Sequence, residues 1–115
     1  MNNRRISEIL KELGVPASIQ GYEYIRTAVK LIIEDESKYR WKTTALYFAI
    51  AREYDTTPSR VERSIRHAIE VAFVRMPVEA IQKYFGNSIS YRSGKATNSE
   101  FIATIVEHIK MEEET

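Results

Sequence analysis

The fold of this chain is decided by residues 50–73, which read IAREYDTTPSRVERSIRHAIEVAF. From Thr57 to Phe73 the apolar residues recur with the 3.6-residue period of an α-helix, and this pattern predicts one amphipathic helix. Its apolar face consists of Val61, Ile65, Ala68, Ile69, Ala72 and Phe73. Its polar face consists of Ser59, Glu62, Arg63, Arg66 and Glu70. We expect the first face to be buried and the second to be open to a partner.

The residues before this helix predict a helix-turn-helix. That motif needs a small residue where two helices touch, a turn-tolerant residue four positions later, a capping hydroxyl, and branched apolar residues in the second helix. These places are filled, in order, by Ala51, Asp55, Thr57, Val61 and Ile65. Asp55 stands where Gly is more usual, and Asp enters the left-handed backbone region more readily than most residues. Pro58 suits the first helical position, where its missing N–H is harmless.

Helical periodicity continues on both sides of this motif, and the alternation typical of strands is almost absent. Other helices are predicted over Arg4–Leu13, Gly21–Glu34, Thr43 or Thr44 to Tyr54, Val78–Phe85, and from the capping box TNSE at 97–100 to about Ile109. A solvated connection is predicted over 34–38, and a surface loop carrying Arg92 and Lys95 over 86–96. We therefore predict an all-α fold of about six helices in a single domain over residues 1–115.

The composition is that of an ordinary soluble globular domain. The chain has 115 residues, of which 43% are hydrophobic and 29% charged. It contains no apolar run of membrane length, no signal-peptide core and no Cys, so we expect a cytoplasmic protein without membrane contact. It also lacks a paired His motif, a Gly-rich phosphate loop and a nucleophile elbow. We expect no enzyme activity, no cofactor and no metal site.

The charge is unevenly distributed along the chain. The net charge is only +1, which is low for a nucleic-acid-binding domain. Residues 98–115 contain one Lys and five Glu, a balance of −4, which leaves +5 for residues 1–97. The predicted helix-turn-helix lies in this positive part.

The outer face of the Thr57–Phe73 helix has the chemistry of a surface that reads double-stranded DNA. In the major groove a guanidinium donates two hydrogen bonds to guanine, and a carboxylate accepts one from cytosine. We therefore expect Arg63 and Arg66 to contact guanine, and Glu62 to contact cytosine. Phosphate contacts are expected at the flanks and at the helix N-terminus, from Thr57, Ser59, Arg60 and His67.

A second interpretation of the same helix is open. Glu62 and Arg66 have the i, i+4 spacing of an ion pair that supports a solvated helix by about 0.2–0.5 kcal/mol. Taken alone, this pair favours the interpretation that the polar face is only solvated. When the preceding turn and N-cap are included, the pattern favours a helix that reads DNA. The alternative function is a helical protein–protein interaction module without useful DNA affinity, and the low net charge supports it.

Four stretches of the sequence resemble a known family. They are GVPA at 14–17, GYEYIR at 21–26, RVERSIRHAIEVA at 60–72 and TNSEFIA at 97–103. The chain is similar, over about Ile6–Ile109, to the C-terminal effector domain of the stage-zero sporulation response regulator A family. The resemblance implies a six-helix DNA-binding domain that activates or represses transcription in endospore-forming bacteria. It places Glu62, Arg63 and Arg66 at base-reading positions, with Ser59, Arg60 and His67 among the backbone-contacting neighbours.

The same resemblance implies further partners. The segment Arg75–Phe85 would face the sigma subunit of RNA polymerase, with Val78, Gln82 and Phe85 as candidate contacts. The family places an aspartate-phosphorylated receiver before this domain, and 115 residues leave no room for its doubly wound α/β fold. We therefore expect an effector domain without a receiver, either excised or a natural stand-alone regulator. Its binding would depend on concentration, on a partner, or on two copies that dock as a dimer or on tandem sites.

Overall fold

The computed structural model describes residues 3–40, 42–86 and 95–114. Within these ranges the chain is all-α, as predicted, and contains no strand. The described helices are α1 (Asn3–Glu12), α2 (Gln20–Glu34), α3 (Glu36–Tyr39), α4 (Thr43–Glu53), α5 (Pro58–Arg75), α6 (Val78–Tyr84) and α7 (Asn98–Glu113). None of them is both long and apolar enough to span a lipid bilayer.

Three details differ from the predicted boundaries, one of which is that α7 continues to Glu113 instead of ending at about Ile109. Helix α3 lies where a solvated connection was expected, because the Asp35 side chain accepts a hydrogen bond from the Lys38 N–H and caps a turn too short to show periodicity. Helix α5 continues to Arg75 rather than Phe73, and Met76, the residue before Pro77, is its C-cap. Most of the predicted loop at 86–96, including Arg92, lies outside the described residues.

Helix α2 is the centre of the molecule and packs against α1, α3, α4, α5 and α7. Its residues Ile25, Ala28 and Val29 are completely buried. The apolar face predicted for α5 is also buried, except that Phe73 is partly exposed. Helix α7 closes the bundle with Phe101 and Ile105 in the core.

A glycine allows α2 to cross α5 at very short range. A Cβ atom on Gly21 would lie 2.3 Å from the Ser64 carbonyl oxygen and 2.6 Å from the Ala68 Cβ. Both distances are shorter than any real van der Waals contact, so only glycine fits at this crossing. The first turn of α2 therefore fixes the position of α5.

The turn between α4 and α5 confirms the predicted local chemistry. Asp55 has a φ of +55°, and the Thr56 N–H donates to the Ala51 carbonyl oxygen at 2.9 Å. This is the 6→1 hydrogen bond of a Schellman motif, in which the residue past the helix end is left-handed. The Thr57 hydroxyl oxygen then accepts from the Arg60 N–H at 3.2 Å and caps α5. The two helices are joined as a helix-turn-helix.

Candidate nucleic-acid interface

The polar face of α5 is exposed to solvent along its length. Ser59, Arg60, Arg63, Arg66 and His67 are all exposed, and Glu62 is partly buried. On the helical wheel Arg63 lies opposite the centre of the buried stripe. The structure thus leaves this face open instead of packing it against another helix.

The N-terminus of α5 has donors for an anion. The first N–H groups of a helix have no intrahelical acceptor, and Pro58 contributes none because it lacks an N–H. The Thr57 oxygen is used as an acceptor in the cap, but a hydroxyl can still donate its own hydrogen. Thr57, Ser59 and Arg60 therefore surround a helix end that is suited to a phosphate oxygen.

One flank of α5 is a basic groove about 450 Å³ in volume, shared with the start of α2. Arg60, Arg63 and His67 line it from α5, and Gln20 and Tyr24 line it from α2. The described residues that line this groove include no Asp or Glu. Its basic side chains suit it to a stretch of nucleic-acid backbone.

The other flank of α5 is a mixed-charge groove shared with α7. The Arg66 guanidinium lies 2.7 Å from the Glu62 carboxylate, and Lys95 Nζ lies 2.8 Å from the Glu70 carboxylate. The hydrogen bond from Lys95 lowers the pKa of Glu70 below its ordinary value. The three predicted base readers are thus divided: Arg63 faces the basic groove, whereas Glu62 and Arg66 face the mixed-charge groove.

A hydrogen-bonded bridge that the sequence did not reveal holds the second flank together. The Asn98 side-chain amide donates to the Glu62 carbonyl oxygen and to the Tyr47 hydroxyl oxygen, both at 3.2 Å. Burial raises the pKa of Tyr47, and the bond from Asn98 partly offsets that shift. Asn98 therefore joins α4, α5 and α7 beside the exposed reading face. The capping box placed Asn98 at the start of a helix. The neighbouring sequence did not indicate which other helices its side chain would contact.

The geometry of a capped helix-turn-helix with an exposed charged face agrees with the comparison to known families. The model of the family described as sporulation initiation factor Spo0A, C-terminal, matches residues 6–109. The chain belongs to this family. It is a DNA-binding effector domain of a sporulation regulator, which acts in transcription regulation.

The segment after the reading helix differs in one respect from what the family resemblance led us to expect. In this Spo0A C-terminal domain, Val78 is 65% exposed and Gln82 is exposed, so both are open to a protein partner. Phe85 is only 4% exposed, because its ring packs 5.4 Å from the Phe73 ring and 5.7 Å from the Phe101 ring. The expectation that Phe85 contacts polymerase is therefore corrected: Phe85 is a core residue.

The carboxylate and imidazole groups of this Spo0A C-terminal domain are dispersed over its surface. Residues 3–40, 42–86 and 95–114 contain no group of three or more His, Asp or Glu side chains placed to hold a metal ion. The charged side chains on α5 form ion pairs or face solvent.

Proposed function

We propose that this domain is a transcription regulator that reads a specific double-stranded DNA sequence with α5 in the major groove. Glu62, Arg63 and Arg66 contact base edges in this proposal. Backbone phosphates are contacted by Thr57, Ser59, Arg60 and His67. The observation that carries the proposal is the exposed charged face of α5, presented by a capped helix-turn-helix in a member of a DNA-binding family.

The Glu62–Arg66 ion pair is compatible with this role on energetic grounds. The two side chains are 34% and 52% exposed, and an exposed i, i+4 pair contributes about 0.2–0.5 kcal/mol. A good contact between a guanidinium and guanine is worth about 1–3 kcal/mol of discrimination. The contact with guanine is worth more than the ion pair. The Arg66 guanidinium can therefore break its ion pair with Glu62, or keep it while also donating to a guanine.

The acidic C-terminal part of the chain does not cancel the positive field at α5. Glu107 is paired with Arg40, and Glu112 is paired with Arg5, at sites on other helices. The groove between α2 and α5 keeps three basic side chains without a carboxylate among its described lining residues. Phosphate attraction is therefore local, and we expect it to weaken as the salt concentration rises.

A second surface supports a protein contact next to the DNA-binding face. Val74 is 86% exposed at the end of α5, and Val78 is 65% exposed at the start of α6. Two large apolar side chains on consecutive helices are thus open to a protein partner. By the family resemblance, the partner is the sigma subunit of RNA polymerase, contacted by Val78 and Gln82.

The test begins with selection of bound duplexes from a random pool, followed by gel-shift titration of the selected duplex. Arg63→Ala and Arg66→Ala are each expected to lose discrimination at particular base pairs by about 5- to 150-fold. Lys30→Ala is the matched control, because Lys30 is exposed on α2 and the change also removes one positive charge. It should leave the base preference unchanged.

Two results would contradict the proposal. The first is failure of the selection to enrich any sequence. The second is equal, weak binding of every duplex by the unchanged domain and by both arginine variants, which would favour the interaction module.

A further inference from the structure

A small apolar pocket lies away from the reading face, between α2, α3, α4 and α7. Its volume is about 180 Å³. Its apolar walls come from all four helices and consist of Ile32, Tyr39, Leu46, Ile102 and Val106. Each of these side chains is at least nine-tenths buried, so the walls are held in place by the core. The pocket is therefore part of the folded bundle rather than a gap between surface side chains.

The size of the pocket limits its ligand to one ring. An apolar cavity of about 150 Å³ is large enough to hold benzene. A volume of about 180 Å³ therefore accommodates a single aromatic ring with one or two small substituents. The aliphatic and aromatic walls favour a flat apolar body, because its burial removes apolar surface from water.

The polar groups at the pocket exclude a charged ligand. Arg40 lines the pocket, but its guanidinium lies 2.7 Å from the Glu36 carboxylate and 2.6 Å from the Glu107 carboxylate. Lys110 lies 2.8 Å from the same Glu36, so the cluster is balanced. Of these four residues only Arg40 is among the described residues that line the pocket, and its charge is balanced by the two carboxylates, so a charged head of either sign gains little there. Both kinds of head would also lose hydration on entering an apolar site.

Besides the phenolic Tyr39, two aliphatic hydroxyl groups at the pocket can serve a neutral polar substituent. Thr43, at the start of α4, and Ser99, in the first turn of α7, both line the pocket. A hydroxyl can donate one hydrogen bond and accept others, so either residue can pair with a hydroxyl on a ligand. A ring that carries one hydroxyl group therefore fits both the walls and the polar groups.

We propose that this pocket binds a small neutral aromatic alcohol, a phenol with one ring. The proposal does not rest on DNA binding, because none of the described residues that line the pocket belongs to α5. It assigns the domain a ligand site distinct from its nucleic-acid interface.

The experiment uses p-cresol as the probe and the whole chain as the protein. Methyl resonances of Ile, Leu and Val are followed by NMR during titration, together with the thermal unfolding midpoint. We expect saturable shifts at Ile32, Ile102 and Val106, and a midpoint that rises with p-cresol concentration, as for any ligand that binds only the folded state. p-Hydroxybenzoate, which has the same ring and an anionic head, should bind at least tenfold more weakly.

A filling variant tests whether the pocket itself is the site. Ala103 lines the pocket and is half-buried on α7, so Ala103→Leu should fill the space and abolish the saturable shifts. Ala45→Leu is the matched control, because Ala45 is also half-buried on a helix but does not line the pocket. It should leave p-cresol binding unchanged.

The proposal is overturned if p-cresol gives no saturable shifts with the unchanged chain. It is also overturned if the shifts lie elsewhere, if Ala103→Leu binds p-cresol as well as Ala45→Leu does, or if p-hydroxybenzoate binds equally well. Should Ala103→Leu fail to fold, the position of the shifts in the unchanged chain and the comparison of the two probes decide the question.

Discussion

Asp55 shows how one residue sets the angle of the reading helix. Among the described residues it is the only one other than glycine with a positive φ. L-residues in the left-handed region crowd Cβ against the following carbonyl oxygen, which costs about 1–2 kcal/mol, and Asp reduces this cost through local hydrogen bonding. The positive φ at Asp55 lets the Thr56 N–H donate a hydrogen bond to the Ala51 carbonyl oxygen, and this bond caps the C-terminus of α4.

We therefore expect Asp55→Ala to lower the free energy of unfolding by about 1 kcal/mol, because alanine has the Cβ without a side-chain acceptor. Asp55→Gly should be at least as stable as the unchanged domain, because glycine adopts positive φ without crowding. Urea denaturation followed by circular dichroism measures both. Equal losses in the two variants would show that the carboxylate, and not the backbone angle, determines stability at this turn.

Asn98 provides a second prediction at the scale of one side chain. Asn98→Ala removes both hydrogen bonds of the bridge, and we expect a loss of about 1 kcal/mol in the free energy of unfolding. Because one of the bonds ends on the Glu62 carbonyl oxygen, discrimination at the base pair that we propose for Glu62 should fall more than discrimination at the one that we propose for Arg63. Gel shifts with duplexes changed at single base pairs measure this difference.

Ser99→Ala is the control for this experiment, because Ser99 is the exposed neighbour of Asn98 on the same turn of α7. A uniform loss across all base pairs with Asn98→Ala would mean that the amide stabilises the fold without orienting α5.

At the scale of elements, the crossing of α2 and α5 depends on the absence of one methyl group. We expect Gly21→Ala to destabilise the domain by about 1–3 kcal/mol, because the added Cβ would push α2 away from the Ser64 carbonyl oxygen. The gain of about 1 kcal/mol in helix propensity offsets only part of this. The thermal midpoint and the DNA affinity should fall together, because the first turn of α2 also forms the wall of the basic groove.

Gln20→Ala separates a packing effect from a change in the helix end. Gln20 precedes Gly21 in α2 and is exposed. The Gln20→Ala substitution should therefore leave the thermal midpoint nearly unchanged. A Gly21→Ala variant as stable as Gln20→Ala would show that the helices can separate at no cost.

The elements that could be predicted from sequence are those fixed by near neighbours. The Thr57 cap, the left-handed Asp55 and the Thr97–Glu100 capping box each involve residues within four positions, so the local pattern contains all the information. Helix α3 escaped prediction because four residues are too few to show a period. Phe85 was misplaced because the family resemblance made it a candidate polymerase contact, whereas in the structure its ring packs against Phe73 of α5 and Phe101 of α7. The bridge from Asn98 to α5 joins residues 36 positions apart and has no local signal.

At the scale of the whole molecule, ion pairs fasten the terminal helices to the bundle. Glu12 on α1 accepts hydrogen bonds from Lys83 Nζ at 2.8 Å and the Tyr84 hydroxyl at 2.6 Å, both on α6. Glu112 near the end of α7 accepts from Arg5 Nε at 2.8 Å. The bond from Lys83, followed by that from Tyr84, lowers the pKa of Glu12, and the bond from Arg5 lowers that of Glu112.

These shifts give the stability of the domain a defined dependence on pH. A carboxyl group whose pKa is lowered by folding stabilises the folded state above its ordinary pKa of 4.5, and this contribution is lost as the pH falls through the lower, folded value. We expect the thermal midpoint to fall from about pH 5 downward. Glu12→Gln should lower the thermal midpoint at neutral pH. The difference in midpoint between this variant and the unchanged domain should shrink as the solution becomes more acidic.

Glu34→Gln is the control, because Glu34 is exposed and forms no ion pair with any described residue. Its midpoint should follow that of the unchanged domain at every pH. A constant difference between Glu12→Gln and the unchanged domain from neutral to acid would contradict the assigned role of the Glu12 carboxylate.

The close crossing at Gly21 has a consequence for recognition itself. The reading helix is anchored at its beginning by the Thr57 cap, beside its middle by α2, and along one flank by Asn98, all before any duplex arrives. In the proposed complex α5 itself would need no disorder-to-order transition, so little chain entropy of this helix would be lost and its ordering would add little to the heat-capacity change of association. The base contacts proposed for α5 would then distinguish a cognate site from other sequences, whereas the phosphate contacts would add affinity for every duplex.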